Sequence, residues 1–557
     1  MNRIRMGLSV VLLCCLSWVA AGQRYTNPVL HSDYSDPDVC RVGEDYYMTA
    51  SSFNCMPGLP VLHSSDLVHW TLIAYALQDY PAFDQPVAHG KGAWAPSIRY
   101  HDGWFYIFCG DPDRGIFMVR SQDPRGPWTT PVWVVEAQGF IDPCPFWEED
   151  GSAWLVHGCA GSRAGLKSVL FLAPLNADAS AATGPSRIIY DGHLTQPTIE
   201  GPKVYRRGEW YYIFAPAGGV ATGWQSVLRA RSLDGPYEER VVMAWAPGTI
   251  NGPHQGAWVS TPGGEDWFLH FQDKGAYGRI IHLQPMVWRA DAWPVIGEDP
   301  DGDGVGQPVA GGSIPSHELH ENALKHVTEP AGPYGLALAW QYPAVPSPYW
   351  HQALPNGGVR LYSVEQSAQG LWDSPNLLSQ KFPAESFTVE ATLAFMPNPQ
   401  LEQHGETAGF AVTGNSYAAL QLQDTRQGVQ LQFIVCEKAS EGAPEEVIPL
   451  CDVPWDAVEI DHRHESRNVP LVKYPSYRRA VVRVRLEVKP RERAGDVPEP
   501  LCQFSYSLDG GKKWQRVPQC FVARPELWIG AKFGFYCNRP ARKNDAGWLE
   551  IQDLSIN

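Results

Sequence analysis

A turn followed by an aromatic-rich strand recurs five times in the first half of the chain. The copies read Gly43-Glu-Asp-Tyr-Tyr-Met, Asp102-Gly-Trp-Phe-Tyr-Ile, Asp150-Gly-Ser-Ala-Trp-Leu, Gly208-Glu-Trp-Tyr-Tyr-Ile and Gly264-Glu-Asp-Trp-Phe-Leu. With Tyr47, Tyr106, Trp154, Tyr212 and Phe268 as markers, the intervals are 59, 48, 58 and 56 residues. A period near fifty made of short strands is the length of one propeller blade, four antiparallel strands with their turns. A weaker echo follows several markers: Ser65-Asp66 with Trp70, Ser121 and Asp123 with Trp128, Ser232 and Asp234 with Tyr237. The strands carry β-branched and aromatic residues and show no long helical period. The pattern predicts a five-bladed β-propeller from about Tyr25 to Val309. A β-sandwich with similar hairpins is the competing reading, and the regular interval argues against it.

The composition agrees. The chain of 557 residues contains 22 Trp and 23 Tyr, with 52 Gly and 48 Pro to break its strands. This is an all-β signature. Aromatic faces also stack on sugar rings, although most of these rings must fill the core. The formal net charge is −16, which disfavours nucleic acid as a partner, because phosphates repel a carboxylate-rich surface.

Arg3 and Arg5 precede an apolar run from Leu8 to Leu16, and Ala20-Ala21-Gly22 offers small residues for cleavage. This reads as a secretory signal over 1–22, with a product starting near Gln23 that is exported to the periplasm or beyond. The run is too short to span a bilayer comfortably. The leucines before Cys14 and Cys15 do not suit a lipid-attachment motif. No later segment reads as a membrane span. The ten remaining cysteines show no CxxC, so no zinc site is indicated. Cys109 and Cys159 read as buried thiols of apolar strands.

Counting back from the markers aligns three carboxylates. Asp36 lies 11 residues before Tyr47, Asp142 lies 12 before Trp154, and Glu200 lies 12 before Tyr212. The equivalent places in the second and fifth repeats are Trp94-Ala95 and Gln255-Gly256, the latter beside His254. In a propeller, equivalent positions are related by rotation about the axis. These side chains therefore converge on one axial cavity despite their separation in sequence. Each acid stands beside Pro or Gly, in Ser35-Asp36-Pro37-Asp38, Ile141-Asp142-Pro143 and Ile199-Glu200-Gly201-Pro202. Taken singly, such sequences are ordinary turn formers. Three at one blade offset point to chemistry. Acids grouped in a partly apolar pocket acquire divergent pKa values, so that one is held protonated and another ionised. Glycoside hydrolysis needs such a pair.

At these residues the chain resembles glycoside hydrolase family 43. The likeness runs over roughly residues 26–309. It takes in Asn27-Pro28-Val29-Leu30, Asp36-Pro37-Asp38, the run from Pro57 to Leu67, Trp94-Ala95-Pro96, Ile141-Asp142-Pro143, Glu200-Gly201-Pro202, His254-Gln255-Gly256 and Gly278-Arg279. The resemblance implies a five-bladed propeller and an inverting single displacement. By the same resemblance, Asp36 is the general base that activates water, Glu200 is the general acid, and Asp142 tunes and orients Glu200. The base and acid carboxyls are then expected roughly 6.5–9.5 Å apart, to leave room for the water. Arg279, His254, Phe53 and Trp94 are implied as substrate-binding or pocket-shaping residues. The reaction requires no cofactor. The family implies a structural Ca²⁺ near His254, held mostly through water. Where family members often carry Phe, this chain has Ile141 before the tuning Asp, which alters the pocket wall.

The second half differs. Asp299-Pro-Asp301-Gly-Asp303-Gly begins like a calcium loop, but position twelve is Ala310, so the EF-hand reading fails and an acidic turn is expected. A linker is expected over 310–337. Beyond it, strands at Phe387-Thr-Val-Glu-Ala-Thr-Leu, Ala418-Ala-Leu-Gln-Leu-Gln, Val481-Val-Arg-Val-Arg-Leu-Glu-Val and Glu526-Leu-Trp-Ile-Gly-Ala lack the blade period. They suggest a β-sandwich over 338–557, similar to the concanavalin-like domain of some family members, where it packs on the propeller and lends a loop to the pocket rim. Recruitment of polysaccharide by this domain is the other reading. Ser507-Leu-Asp509-Gly-Gly-Lys-Lys-Trp514 fits a sialidase-type Asp box outside the blades and reads as a hairpin turn, and His462-Arg-His464 as a solvated loop.

The resulting expectation is an exo-glycosidase that removes terminal α-L-arabinofuranosyl units from plant cell-wall polysaccharide or oligosaccharide. A β-xylosidase on xylo-oligosaccharides is the first alternative, and a non-catalytic carbohydrate-binding propeller is the second.

Overall fold

The structure is a computed structural model. It describes residues 24–557 except 79, 82–84, 246–251, 316–331, 333–334, 367–369, 399–403, 458–477, 493–496 and 542–544. The signal segment 1–22, most of the 310–337 linker and the His462/His464 pair lie outside the described residues.

Five four-stranded antiparallel sheets, each formed by consecutive strands, make the propeller. Their first strands are Asp38–Val42, Pro96–His101, Phe140–Trp147, Lys203–Arg207 and His254–Ser260. The repeat has a direct structural meaning. Gly43, Gly103, Gly151, Gly208 and Gly264 are the turn residues between the first and second strand of each blade, with φ of 64°, 81°, 86°, 60° and 85°. Glycine takes this left-handed conformation at little cost, and it lets the hairpin turn in two residues in blades 1, 2 and 4 and in five in blades 3 and 5. The aromatic residues that follow fill the seams between blades. Tyr47 packs with Ile98 and Phe105, Tyr106 with Leu155, Tyr212 and Phe214 with Phe268, and Tyr46 with Leu269 and Ile281. Each fully buried ring contributes about 1.5–3 kcal/mol.

The ring closes between its two ends. Arg24–Thr26 pairs antiparallel with Gly311–Ser313, which lies inside the expected linker. The Asn27 side chain donates to Leu283 O (2.8 Å) and Val309 O (2.9 Å) and accepts from Leu283 N–H (2.8 Å).

Around the axis, side chains cross from blade to blade. Arg99 of blade 2 donates to Asp38 of blade 1 at 2.5 Å and to the Cys144 Sγ of blade 3 at 3.1 Å. The Val204 N–H of blade 4 also donates to that sulfur at 3.3 Å, and the Trp258 N–H of blade 5 donates to the Tyr205 hydroxyl of blade 4 at 3.1 Å. Fully buried Lys203 donates from Nζ to Pro96 O (2.8 Å) and Ser97 Oγ (2.9 Å). This belt plugs the axis with partnered polar groups, which is how charge is tolerated out of water.

The C-terminal half is a two-sheet β-sandwich. One sheet contains Phe387–Met396, Arg478–Arg491, Glu499–Ser507 and Trp548–Ile556, and the other Thr407–Thr413, Tyr417–Thr425, Gly428–Cys436 and Lys532–Arg539. Ser507–Trp514 is a hairpin turn, since Ser505 and Tyr506 pair with Arg516 and Gln515. Glu526–Ala531, expected as a strand, is instead a loop: Trp528 has φ 66°, which breaks the extended backbone. All ten cysteines among the described residues are free thiols, and Cys109 and Cys159 are buried.

Buried histidines give the fold an acid limit. Burial holds His157 and His270 at about 4, each with Nδ1 against a neighbouring carbonyl at 3.0 Å. The unfolded chain binds protons first as pH falls, so stability is complete above the ordinary value near 6.5 and is lost towards 4. Each should remove about 2 kcal/mol between pH 7 and pH 5. Urea unfolding midpoints at the two pH values, compared between wild type and His157→Gln, isolate the loss, and an identical pH dependence in the two proteins would refute it.

Candidate active site

A pocket opens where the first strands of the blades begin, and the strand starts place its acids. Asp36 precedes the first strand of blade 1, Asp142 lies within that of blade 3, Glu200 precedes that of blade 4, and His254 opens that of blade 5. The backbone is bent at each place. Asp36, Asp142, Gly201 and Gln255 have φ of 56°, 55°, 57° and 35°. Strand register slips between Ile141 and Cys144 and between His254 and Gly256. Such bulges re-aim a side chain, and left-handed non-glycine residues cost about 1 kcal/mol or more each. Strain repeated at equivalent blade positions turns the carboxylates towards the axis.

Asp36, Asp142, Glu200, His254 and Arg279 all line one cavity of about 300 Å³, together with Phe53, Trp94, Ile141 and Trp528. Larger clefts of about 520 Å³ at the other end of the axis and about 620 Å³ on the sandwich bring together no buried carboxylates from different blades. Every residue singled out for the site from the sequence reaches this cavity.

Asp36 is held from three sides. Its Oδ2 accepts from Ser35 Oγ (2.8 Å) and Ser51 Oγ (2.5 Å), and its Oδ1 accepts from Arg279 Nη1 (3.2 Å). Arg279 also donates to Ser35 Oγ at 2.7 Å, and its guanidinium lies 4.7 Å from the Phe271 ring centroid and 5.5 Å from that of Trp528. Donors on three sides fix the orientation of the carboxylate. Glu200 faces the cavity with its side chain 28% exposed and is hydrogen-bonded to His254 Nε2 at 2.7 Å.

Asp142 is the most enclosed of the three, at 2% exposure, and accepts from Gly201 N–H (2.8 Å) and Gln255 Nε2 (3.4 Å). Burial, followed by the charges of Glu200 and Asp36, pushes its carboxyl up to about 8. Of the three acids, Asp142 is the one whose surroundings favour the protonated carboxyl, because desolvation is greatest there. Its contribution to stability is complete below the ordinary carboxyl range and is lost as pH rises through 8.

Phe53 and Trp94 form the aromatic wall, edge to face at 6.5 Å, and Trp94 donates from Nε1 to Gly90 O at 2.8 Å. Among the described residues no group of three or more His, Cys, Asp or Glu could hold a metal ion. His254 Nδ1 is buried without a hydrogen-bond partner. Ca²⁺ takes six to eight oxygen ligands, which these side chains do not supply directly. An ion here would be held through water, as the resemblance implies.

Sequence reasoning missed Trp528, which reaches the pocket from the sandwich. Its signal was hidden because Glu526-Leu-Trp-Ile-Gly-Ala has the alternation of a strand. It also left out Gln255, which donates to Asp142, although that residue occupies the fifth-blade equivalent of the acids.

A pocket that sets carboxylates from separate blades against aromatic walls is suited to splitting an acetal, which puts the protein among the glycoside hydrolases. Residues 25–294 match the family described as Glycosyl hydrolases family 43, and residues 333–552 match the Beta xylosidase C-terminal Concanavalin A-like domain. The chain belongs to glycosyl hydrolase family 43.

A protein of Xylanibacter ruminicola, provisionally named a beta-xylosidase, is 39% identical over 64% of this chain and 66% of its own length. The match thus spans about two thirds of that relative. A non-reducing end alpha-L-arabinofuranosidase of Bacteroides ovatus is 29% identical over 72% of this chain and 77% of its own length. The solved xylan beta-1,4-xylosidase of Bacillus halodurans superposes with a TM-score of 0.74 at 22% identity, covering 95% of this chain and 100% of that one. At that identity the superposition speaks for the fold alone.

Proposed function

We propose that the protein is an exported, inverting exo-glycosidase that removes terminal α-L-arabinofuranosyl units from plant cell-wall polysaccharide or oligosaccharide. The observation that carries this reading is the convergence of Asp36, Asp142 and Glu200 on one cavity of about 300 Å³, room for a terminal sugar and little more. The Bacteroides ovatus relative, an arabinofuranosidase by name, supports the pentose. A β-xylosidase is the second reading, favoured by the name of the Xylanibacter relative.

Asp36, fixed by Ser35, Ser51 and Arg279, takes a proton from a water molecule as its oxygen attacks the anomeric carbon. Glu200 gives a proton to the departing glycosidic oxygen. Asp142 tunes and orients Glu200, holding the neighbouring Gly201 N–H at 2.8 Å. His254 orients Glu200. Phe53, Trp94 and Trp528 wall off water.

Release of nitrophenol from the arabinofuranoside and the xyloside separates the two pentose readings, and NMR of the first-formed anomer tests inversion. Glu200→Gln should lower turnover of unactivated oligosaccharide by about 10²–10⁴-fold and affect the nitrophenyl substrates much less. Retained configuration, or full activity of Glu200→Gln on unactivated substrate, would remove the assignment.

A further inference from the structure

The loop 526–531 of the sandwich is pinned to the propeller almost residue by residue. Glu526 pairs with His89 at 2.5 Å, and Leu527 lies against Gly90. Ile529 sits in an apolar cluster with Phe53 and Cys55, and the Ala531 N–H donates to Ala276 O at 2.8 Å. Trp528 stands out: it holds a left-handed φ of 66° and turns into the pocket. A bulky residue keeps such a conformation when its neighbours over-determine it.

Asp33 is the anchor that links this loop to the part of the pocket wall that carries Arg279. It is 6% exposed. Its Oδ1 accepts from the Arg279 backbone N–H at 2.9 Å, and its Oδ2 accepts from the Gly530 N–H at 2.9 Å. One carboxylate therefore spans two domains, binding the backbone of the arginine that holds Asp36 and the backbone two residues from Trp528. The approach is so close that a Cβ at Gly278 would lie 2.4 Å from Asp33 Cβ, and one at Gly530 would lie 2.7 Å from Gly278 Cα. Asp33 also accepts from Lys381 Nζ through its carbonyl at 2.6 Å.

We infer that Asp33 is a positioning residue that sets the spacing between Arg279 and Trp528, and with it the grip of the pocket on the terminal sugar. This rests on the function proposed above. The side chain must offer two acceptors, one to each domain. Asparagine offers one, and its amide would face an N–H, leaving a buried donor unsatisfied.

The test is a double-mutant cycle of Asp33→Asn with Trp528→Ala, with kcat and KM measured separately and monosaccharide binding measured by calorimetry. Asp33→Asn should raise KM about tenfold while kcat changes by less than about threefold. In the Trp528→Ala background the same change should raise KM less than about twofold, because the two act as a unit. An unchanged KM, or an equal effect in both backgrounds, would overturn the inference. A purely structural role would lower the melting temperature without this coupling. If no variant or wild-type protein hydrolyses a pentoside, the function proposal fails, while the calorimetric cycle still reads the pocket. Hydrogen exchange on wild-type protein needs no variant: the Gly530 amide should be protected, and rapid exchange there would refute the clasp.

Discussion

Asp36→Asn should lower kcat by about 10²–10⁴-fold while leaving the protein folded. The argument rests on keeping the shape and removing the charge. Asparagine accepts the left-handed backbone that Asp36 adopts at φ 56°. Its carbonyl can still accept from one of the two serines. It cannot take a proton from water at neutral pH. Arg279 loses its partner at Oδ1, so a modest fall in melting temperature is expected, although Asp273 lies 3.8 Å from the guanidinium Nε. Steady-state kinetics beside a thermal melt gives the answer. A variant with more than about a tenth of wild-type turnover would contradict the role of base in acid–base catalysis.

Two residues along the chain, the same substitution should have a different consequence. Asp38 is wholly buried and accepts from Ile98 N–H at 2.7 Å and Arg99 Nη1 at 2.5 Å. Asp38→Asn leaves the Arg99 guanidinium largely out of water with no counter-charge at the axis, and breaking such a pair from one side costs about 3–5 kcal/mol. Arg99 also reaches Cys144 and the Tyr205 ring, so the loss falls on contacts between four blades. Denaturant unfolding of the propeller should shift strongly, whereas folded material should keep its kcat. A small shift in stability with a large fall in kcat would mean that the belt belongs to the reaction instead.

The sequence revealed the propeller because every blade solves the same packing problem. A glycine turn and an aromatic residue at each seam recur at the interval that the geometry sets, so Tyr47 and Phe268 announce their surroundings locally. The acids were legible for the same reason, since rotation about the axis turns a constant offset into spatial contact. Trp528 was not legible. Its place depends on a left-handed backbone and on anchors supplied by His89, Asp33 and Ala276, all hundreds of residues away. The deep burial of Asp142 was also hidden. Asp142 and Glu200 look alike in sequence, and what separates them is how far each lies from water. Asp33 sits three residues from Asp36, and nothing in its local sequence marks it as a contact between the two domains.

The belt across the axis has a kinetic consequence. Lys203 and Arg99 draw side chains of neighbouring blades together across the axis, and a propeller stopped there gives the catalytic chamber a single mouth. Whatever sugar lodges at its inner end must depart through the entrance it came by, after the aglycone has vacated the doorway. Release is then ordered, with the remainder of the chain leaving first and the single sugar last, and the freed monosaccharide competes directly with the next substrate for the empty enzyme.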